Sequence, residues 1–181
     1  MRRMACGCIV LGLTLLLLAG CIVSKTRQAS PVAQVRLGAF KVVEMKPVSL
    51  GAAFAVAKAN QRALKKIDGA LTRGMQTVFP DLILLDPTED FSKTRVRTLQ
   101  ITPVVTELRL SGGKSAPLEG NGMVEGSDAT LQVTFRDSSN GKVIAAPEFY
   151  RSADAAEEGG AGDRMLEDLA SDVAQYCSNN W

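Results

Sequence analysis

The chemistry open to this chain is limited first by a side chain that it lacks. None of its 181 residues is histidine. Because histidine is the commonest general base near neutral pH and a standard zinc ligand, this composition excludes Ser-His-Asp and Cys-His catalytic sites and His-ligated zinc. Carboxylates remain, and a glycosidase needs only two of them at a suitable separation. The candidates are Glu119, Glu125 and Glu148, which keep a carboxylate-based cell-wall hydrolase open as an alternative.

Two glycine-containing stretches approach nucleotide-binding motifs without matching them. Residues 113–115, Gly-Lys-Ser, have the end of a phosphate-binding loop, but the glycine required five residues earlier is Leu108. A second set, Gly120, Gly122 and Gly126, misses the dinucleotide-binding spacing by one residue and precedes a predicted strand where a helix is needed. The sequence therefore predicts no nucleotide cofactor.

The first 21 residues, which end in Cys21, indicate a processing signal and not an active site. Arg2 and Arg3 precede an apolar run of eleven residues, 9–19, which is too short to span a bilayer comfortably. Positive charge, a short apolar core and small residues at its end are typical of a cleavable signal peptide. A signal peptide cut elsewhere, or a retained helix that anchors the chain, are the alternatives.

The end of this segment, Leu18-Ala19-Gly20-Cys21, resembles the lipobox of bacterial lipoproteins. The resemblance implies that signal peptidase II recognises Leu18, Ala19 and Gly20 and cuts before Cys21. Cys21 would then carry a diacylglyceryl group on its sulfur and an acyl chain such as palmitate on its amino group. In a Gram-negative host the resemblance implies an outer-membrane protein facing the periplasm, because Ile22 is not an aspartate-type retention residue.

Cleavage of residues 1–20 leaves 161 residues, enough for one domain with a core and too few for two. Residues 21–34, which include the lipidated cysteine, are mostly small and polar, and this composition predicts a flexible tether. The single globular domain is then expected to comprise residues 35–181. Cys177 is then the one cysteine without lipid, which excludes an intramolecular disulfide and a Cys-rich metal site. We expect it to be a buried thiol, and we expect neither a metal nor a cofactor.

The charges are unevenly distributed along the mature chain. Residues 21–124 carry 15 basic and 8 acidic side chains, whereas residues 125–181 carry 4 and 11. Because the totals cancel, bulk charge does not indicate a nucleic-acid partner. The asymmetry predicts that the two halves neutralise each other within one fold; a polar partner surface or a basic face against anionic lipid is the alternative.

Three stretches before residue 111 are predicted as strands. Residues 35–44 alternate apolar and polar side chains. Residues 82–85 are apolar throughout and bounded by Pro-Asp and Asp-Pro pairs, as is typical of a buried central strand. Residues 99–110 also alternate, but after Pro103 the apolar parity shifts, which indicates a β-bulge or an edge position. The residues on the new parity are Val104, Thr106, Leu108 and Leu110.

Two amphipathic helices are predicted. Residues 52–78 place apolar side chains three and four apart, on one stripe that faces a core: Leu64, Ile67, Leu71, Met75 and Val78. Gly69 and Gly74 weaken this helix, so it either breaks near Gly74 or needs the close approach that glycine permits. Residues 163–178 form the second helix, with Asp163 as its N-cap.

A hairpin is predicted between the loop 111–128, which is rich in glycine, and the last helix. Asn140-Gly141 separates two alternating segments, and this dipeptide favours a two-residue type I′ turn. We expect Trp181 at the end of the chain to pack back on the fold or to make a minor contact. The first hairpin strand presents its apolar face through Ala129, Leu131, Val133 and Phe135.

The order of these elements predicts an α+β fold, with a mainly antiparallel sheet of about four to five strands and two amphipathic helices packed on one face. The segment 126–142 and its closing helix resemble uncharacterised lipoproteins of Gram-negative bacteria known only as domains of unknown function. The residues that carry the resemblance are Gly126, Ser127, Asp128, Ala129, Leu131, Val133, Phe135, Asp137, Asn140, Gly141 and Lys142. It supplies no catalytic residues.

The sequence thus favours a non-enzymatic envelope lipoprotein that binds another envelope protein as an accessory or assembly factor. A small-ligand-binding lipoprotein with a pocket between helices and sheet is the first alternative, and the carboxylate-based hydrolase is the second. An exposed apolar patch or open sheet edge would favour the accessory factor, a cavity the ligand-binding protein, and two suitably spaced carboxylates in a groove the hydrolase.

Overall fold

The computed structural model describes residues 36–51, 58–92, 96–110, 126–153 and 161–181. Within these residues two helices and a seven-stranded sheet form an α+β fold, as predicted. The helices are α1, Lys58–Val78, and α2, Ala161–Asn179. The strands are β1 Val42–Met45, β2 Ser49–Leu50, β3 Ile83–Leu84, β4 Thr98–Arg109, β5 Ser127–Asp137, β6 Val143–Ala145 and β7 Glu148–Ala153.

The sheet is mixed, whereas the sequence predicted a mainly antiparallel one. Strands run in the order β3-β1-β4-β5-β6, with β2 beside β4 and β7 beside β5. β1 is parallel to β3 and β4, and β2 is parallel to β4, while β5 is antiparallel to β4, β6 and β7. The crossover through α1 accounts for the parallel pairing of β3 with β1, because a helical connection can return the chain in the same direction.

One face of the sheet forms the core under the helices. Leu131, Val133 and Phe135 of β5 are fully buried, which confirms the predicted inward face of that strand. Both helices contribute to the same core: the fully buried members of α1 are Ile67, Leu71 and Met75, and those of α2 include Leu169, Val173 and Cys177. Leu64 and Val78 lie at its margin. On β5 the intervening residues Gln132, Thr134 and Arg136 are at least partly exposed, so the layered arrangement is one-sided.

Two of the predicted strands differ from the structure. Within residues 35–44 the strand begins only at Val42; Leu37–Ala39 is a short 3-10 helix, and Leu37 donates its N–H to the Asn180 carbonyl at 2.7 Å. The apolar run 82–85 is not a buried central strand. Only Ile83 and Leu84 pair, with β1 at the edge of the sheet, and their side chains are 46% and 44% exposed.

Strand β4 is interior and continuous through Pro103, and its bulge lies later than predicted, between Val105 and Glu107. Val105 is therefore buried where the parity shift predicted Val104. The carbonyls of Ile101 and Val105 accept hydrogen bonds from Lys46 and Gly51, so odd-numbered residues of β4 direct their backbone groups toward β1 and β2. Pro103, which has no N–H to donate, falls at the gap between those two strands.

The turn after β5 is at the predicted place but is not a type I′ turn. Asp137 donates its N–H to the Lys142 carbonyl at 2.9 Å, so four residues, 138–141, form the connection. Gly141 has φ +67°, whereas Asn140 does not have a positive φ. Asn140 accepts a hydrogen bond from the Lys142 N–H through Oδ1 instead, at 2.8 Å. Only one residue of the turn therefore needs the left-handed region that favours glycine.

Charged side chains join the basic first half of the chain to the acidic second half. Lys66 of α1 lies 2.8 Å from Asp163 of α2, and this hydrogen bond raises the pKa of Lys66. Asp163 is not the N-cap, since α2 already begins at Ala161. The Arg97 guanidinium lies 2.7 Å from Asp137. These pairs support the prediction that the two halves neutralise each other within one fold.

Candidate functional site

The predicted lipid-attachment residue, Cys21, and the predicted recognition residues, Leu18, Ala19 and Gly20, lie outside the described residues, as does the tether 21–34. The described chain begins at Arg36, beside its own C-terminus. Trp181 packs edge to face on Phe79, with ring centroids 4.6 Å apart, and stays half-exposed. This confirms that the terminal tryptophan packs back on the fold. No helix among the described residues is long and apolar enough to cross a membrane.

An apolar sheet edge at β3 is the first candidate surface. Leu85 donates its N–H to the Met45 carbonyl at 3.0 Å. Because consecutive strand residues direct their backbone groups to opposite sides, the N–H and C=O of Leu84 point away from β1. No described strand pairs with that side of β3. The edge therefore offers unpaired backbone groups together with the exposed side chains of Ile83 and Leu84.

The β3 edge is acidic at both ends. Asp81 precedes the strand and Asp86 follows it, and both side chains are exposed. Charged residues that flank an apolar edge restrict which segments can pair with it, since a like charge opposite them is repelled. A segment with basic flanks would complement these carboxylates.

The second candidate surface is a cleft of about 680 Å³ at the start of α1. One wall is the segment 46–50, which consists of the link after β1, residues 46–48, and of β2 itself. The facing wall is a stripe of α1, and Pro87 and Thr102 complete the lining. The members of the stripe are Gln61, Leu64, Lys65 and Asp68, whose spacing of three and four places them on one side of the helix.

Two hydrogen bonds hold the linking wall of this cleft in place. The Val48 N–H donates to Oδ1 of Asp68 at 2.8 Å, which fixes the link to α1. The Ser49 hydroxyl donates to the Pro103 carbonyl at 3.4 Å, which fixes it to β4. Val48 is 5% exposed and belongs to the core, whereas its neighbours in this wall are partly or fully exposed.

The cleft is more basic than acidic. Among the described lining residues, Lys46 and Lys65 are the two cations and Asp68 is the one carboxylate. Lys46 Nζ lies 5.1 Å from the centre of the Phe91 ring, which positions this cation by a cation–π contact. Lys65 is exposed, and among the described residues no ion pair is found for it.

Two buried carboxylates outside the cleft have structural partners. Glu44 of β1, 2% exposed, accepts hydrogen bonds from the Ser92 hydroxyl and the Ser92 N–H. Asp137, also 2% exposed, accepts from Arg97, from the Ser139 hydroxyl and from the Ser139 N–H. The Arg97 hydrogen bond is the main reason that the pKa of Asp137 falls from 3.8 to about 2, against the opposing effect of burial.

Of the three carboxylates predicted as candidates for a hydrolase, the structure describes only Glu148. Glu148 accepts a hydrogen bond from Gln132 Nε2 at 3.3 Å, while Glu119 and Glu125 lie outside the described residues. Cys177 is buried, as predicted, and burial raises the pKa of its thiol to about 12. Across the described part of the chain no three His, Cys, Asp or Glu residues are grouped as metal ligands.

Sequence reasoning missed both surfaces. The apolar run 82–85 was interpreted as a central strand, although its length of four residues and its acidic flanks also fit a short edge strand. The cleft had a weaker signal: Leu64 was assigned to the core stripe of α1, and Asp68 was not singled out. Their partners in the segment 46–50 are distant in sequence, so no local pattern connects them.

No protein-family model matches this sequence, and neither does any curated protein. Solved structures share its fold. The PelC dodecamer from Paraburkholderia phytofirmans is 14% identical with a TM-score of 0.51, and the match covers 82% of this chain and 96% of that chain. A Xanthomonas campestris protein of the DUF330 family is 10% identical with a TM-score of 0.52, covering 87% and 93%.

Lipoprotein GNA1162 from Neisseria meningitidis is also similar, at 11% identity and a TM-score of 0.39, with 76% of this chain and 99% of that chain covered. At these identities a likeness establishes the fold alone. The lowest of the three TM-scores supports no argument about this chain.

Proposed function

We propose that this protein is a lipid-anchored envelope lipoprotein with a non-enzymatic domain that binds another envelope protein as an accessory or assembly factor. Acylated Cys21 is the anchor, and the domain faces the periplasm from the outer membrane. The leader supports the anchor, since Leu18-Ala19-Gly20-Cys21 follows a charged and then apolar segment at the expected distance. Acyl chains contribute roughly 0.8 kcal/mol per buried CH₂, so two or three chains hold a protein durably.

The arrangement of the termini fits a short tether. Fourteen residues lie between Cys21 and Arg36, which corresponds to about 20 Å for a flexible chain. Leu37 is hydrogen-bonded to Asn180, and half-exposed Trp181 lies beside them. The tether therefore joins the domain at the end where both termini meet, and this end stays close to the membrane.

The main support for a binding function is the exposed β3 edge. Large exposed apolar side chains beside unpaired backbone groups are a template for adding a strand, and recognition by strand addition combines main-chain hydrogen bonds with side-chain contacts. Ile83 and Leu84 provide both. The partner is an envelope protein with a short extended apolar segment that has basic residues at its ends, complementary to Asp81 and Asp86.

Site-specific photocrosslinking in cells tests this function. A photoreactive amino acid at Leu84 should give one crosslinked product of discrete mass in the envelope, whereas the same group at Val143 should not. Val143 is the matched control, because it is a 41% exposed apolar residue on β6, at the opposite end of the strand order. Ile83→Lys should remove the product at position 84.

Three outcomes would contradict the proposal. Equal crosslinking from positions 84 and 143, or none from position 84, would show that the edge has no specific partner. A product of twice the mass of the protein would show pairing with a second copy of this chain instead of a different envelope protein.

A further inference from the structure

We propose that the cleft between α1 and the β1–β2 link binds a small amphiphilic carboxylate, with its apolar part against the cleft wall and its carboxylate beside Lys46 and Lys65. This inference goes beyond the partner-binding function, because it concerns a different surface and a different class of ligand. It stands whether or not the β3 edge has a protein partner.

The size and lining of the cleft fit a small molecule. Its volume of about 680 Å³ lies within the roughly 300 to 1,000 Å³ that is usual for small-molecule sites. Apolar atoms come from both walls: Val48 and Leu50 belong to the link and β2, and Leu64 faces them from α1. Two prolines, Pro47 and Pro87, add rigid apolar surface without a backbone N–H.

The charges of the lining select an anion. Lys46 and Lys65 line a cleft in whose described lining Asp68, the one carboxylate, already accepts a hydrogen bond from the Val48 N–H. The ammonium of Lys46 lies over the ring of Phe91, which is not among the described lining residues, whereas Lys65 has no ion pair among the described residues. The cleft therefore has an excess of one positive charge next to its apolar wall, which matches a monoanion attached to an apolar group.

The wall is preorganised for this ligand. Asp68 holds Val48 from the helix side, and Ser49 is bonded to Pro103 on the sheet side. A ligand that enters a prepared cleft loses less free energy to ordering of the protein than one that must order a loose segment.

Calorimetric titration with 4-phenylbutyrate tests the proposal, with 4-phenylbutanol as the neutral analogue. The membrane-purified full-chain product is reconstituted in lipid nanodiscs, and empty nanodiscs provide the reference. We expect saturable binding of the carboxylate at one site and weaker binding of the alcohol, by up to about fivefold for each exposed ion pair that the carboxylate makes.

Substitution of each lysine tests which side chains bind the ligand carboxylate. Lys65→Gln and Lys46→Gln should each raise the Kd of 4-phenylbutyrate by about fivefold and leave the Kd of 4-phenylbutanol unchanged. Arg62→Gln is the matched control, because Arg62 is also an exposed cation of α1 but does not line the cleft. Thermal unfolding of each variant by circular dichroism confirms an intact fold.

Three results would overturn the proposal: no saturable binding of 4-phenylbutyrate beyond the empty nanodiscs, equal affinity for the acid and the alcohol, or an Arg62→Gln effect equal to that of Lys65→Gln. Crosslinking at Leu84 is unaffected by any of them, so failure of this cleft and failure of the proposed partner function are distinguishable.

Discussion

Gly74 of α1 lies directly against Ala174 of α2. A methyl group added at Gly74 would be 3.0 Å from the Ala174 Cβ, closer than carbon atoms pack without something shifting. The helix is unbroken at this point. Of the two alternatives that the sequence left for Gly74, a break in the helix or a close approach, the structure therefore shows the close approach.

The two glycines of α1 should respond differently to alanine. At Gly69 the new methyl would meet only the Arg73 guanidinium, at 3.5 Å, so Gly69→Ala should stabilise the fold by about 0.5 to 1 kcal/mol through helix propensity. Gly74→Ala should lose that gain to the contact with Ala174, and Gly74→Leu should destabilise by about 1 to 3 kcal/mol. Urea unfolding followed by circular dichroism measures both. Equal stabilisation by alanine at the two positions would contradict a close helix contact.

The core face of β5 gives a second prediction. Phe135→Ala should lower the free energy of unfolding by about 3 to 5 kcal/mol, because Phe135 is fully buried and its ring also packs on Tyr176. Thr134→Ala, one residue away on the half-exposed face, should change it by less than about 1 kcal/mol. Thermal unfolding midpoints of the two variants, each compared with that of the native protein, measure this difference. An unchanged midpoint for Phe135→Ala would mean that the register of β5 is wrong.

The ion pair of Asp137 and Arg97 predicts a pH dependence. Since the pKa of Asp137 is lowered from 3.8 to about 2, its stabilisation is fully present above pH 3.8 and is lost as the pH falls toward about 2. The lost part is roughly 1 to 2 kcal/mol, allowing for the solvent around half-exposed Arg97. Urea unfolding across this range should show the loss in the native protein and not in Asp137→Asn.

Asp128→Asn is the control for this titration, because Asp128 lies 3.9 Å from a largely exposed Arg109. Asp128→Asn should therefore show the same acid-dependent loss of stability as the native protein. If Asp137→Asn loses stability over the same range as the native protein, the Arg97 pair is not the cause.

The parts of this fold that the sequence predicted are those in which local pattern and tertiary packing agree. The stripe around Ile67, Leu71 and Met75 repeats at helical spacing because one side of α1 faces the core. The strand centred on Val133 alternates for the same reason. Asn140-Gly141 marked the hairpin but not its turn type, since a four-residue connection needs only Gly141 in the left-handed region.

The parts that the sequence did not predict depend on distant residues. Leu37 is in a 3-10 helix bonded to Asn180, some 140 residues later in the chain, although its neighbours alternate as a strand would. An apolar run such as 82–85 is compatible with a central strand and with an edge strand. Its position at the edge follows from its pairing with β1, which the local sequence does not record. The cleft follows from contacts between the segment 46–50 and α1, which composition does not record.

The residue after the predicted lipid cysteine yields a prediction about location. Ile22 is not an aspartate-type retention residue, so in a Gram-negative host the protein should separate with the outer membrane on a density gradient. Ile22→Asp should move it toward the inner membrane. Recovery of the unchanged protein wholly with the inner membrane would contradict the assignment to the outer membrane.

Metabolic labelling with an alkyne analogue of palmitate tests the lipid anchor most directly. The unchanged protein and the control Cys177→Ala should both incorporate the label, because Cys177 is fully buried and only Cys21 follows the Leu-Ala-Gly sequence. Cys21→Ser should incorporate none and should retain its leader, migrating as the larger, unprocessed chain. Equal labelling of Cys21→Ser and the unchanged protein would contradict the lipoprotein account.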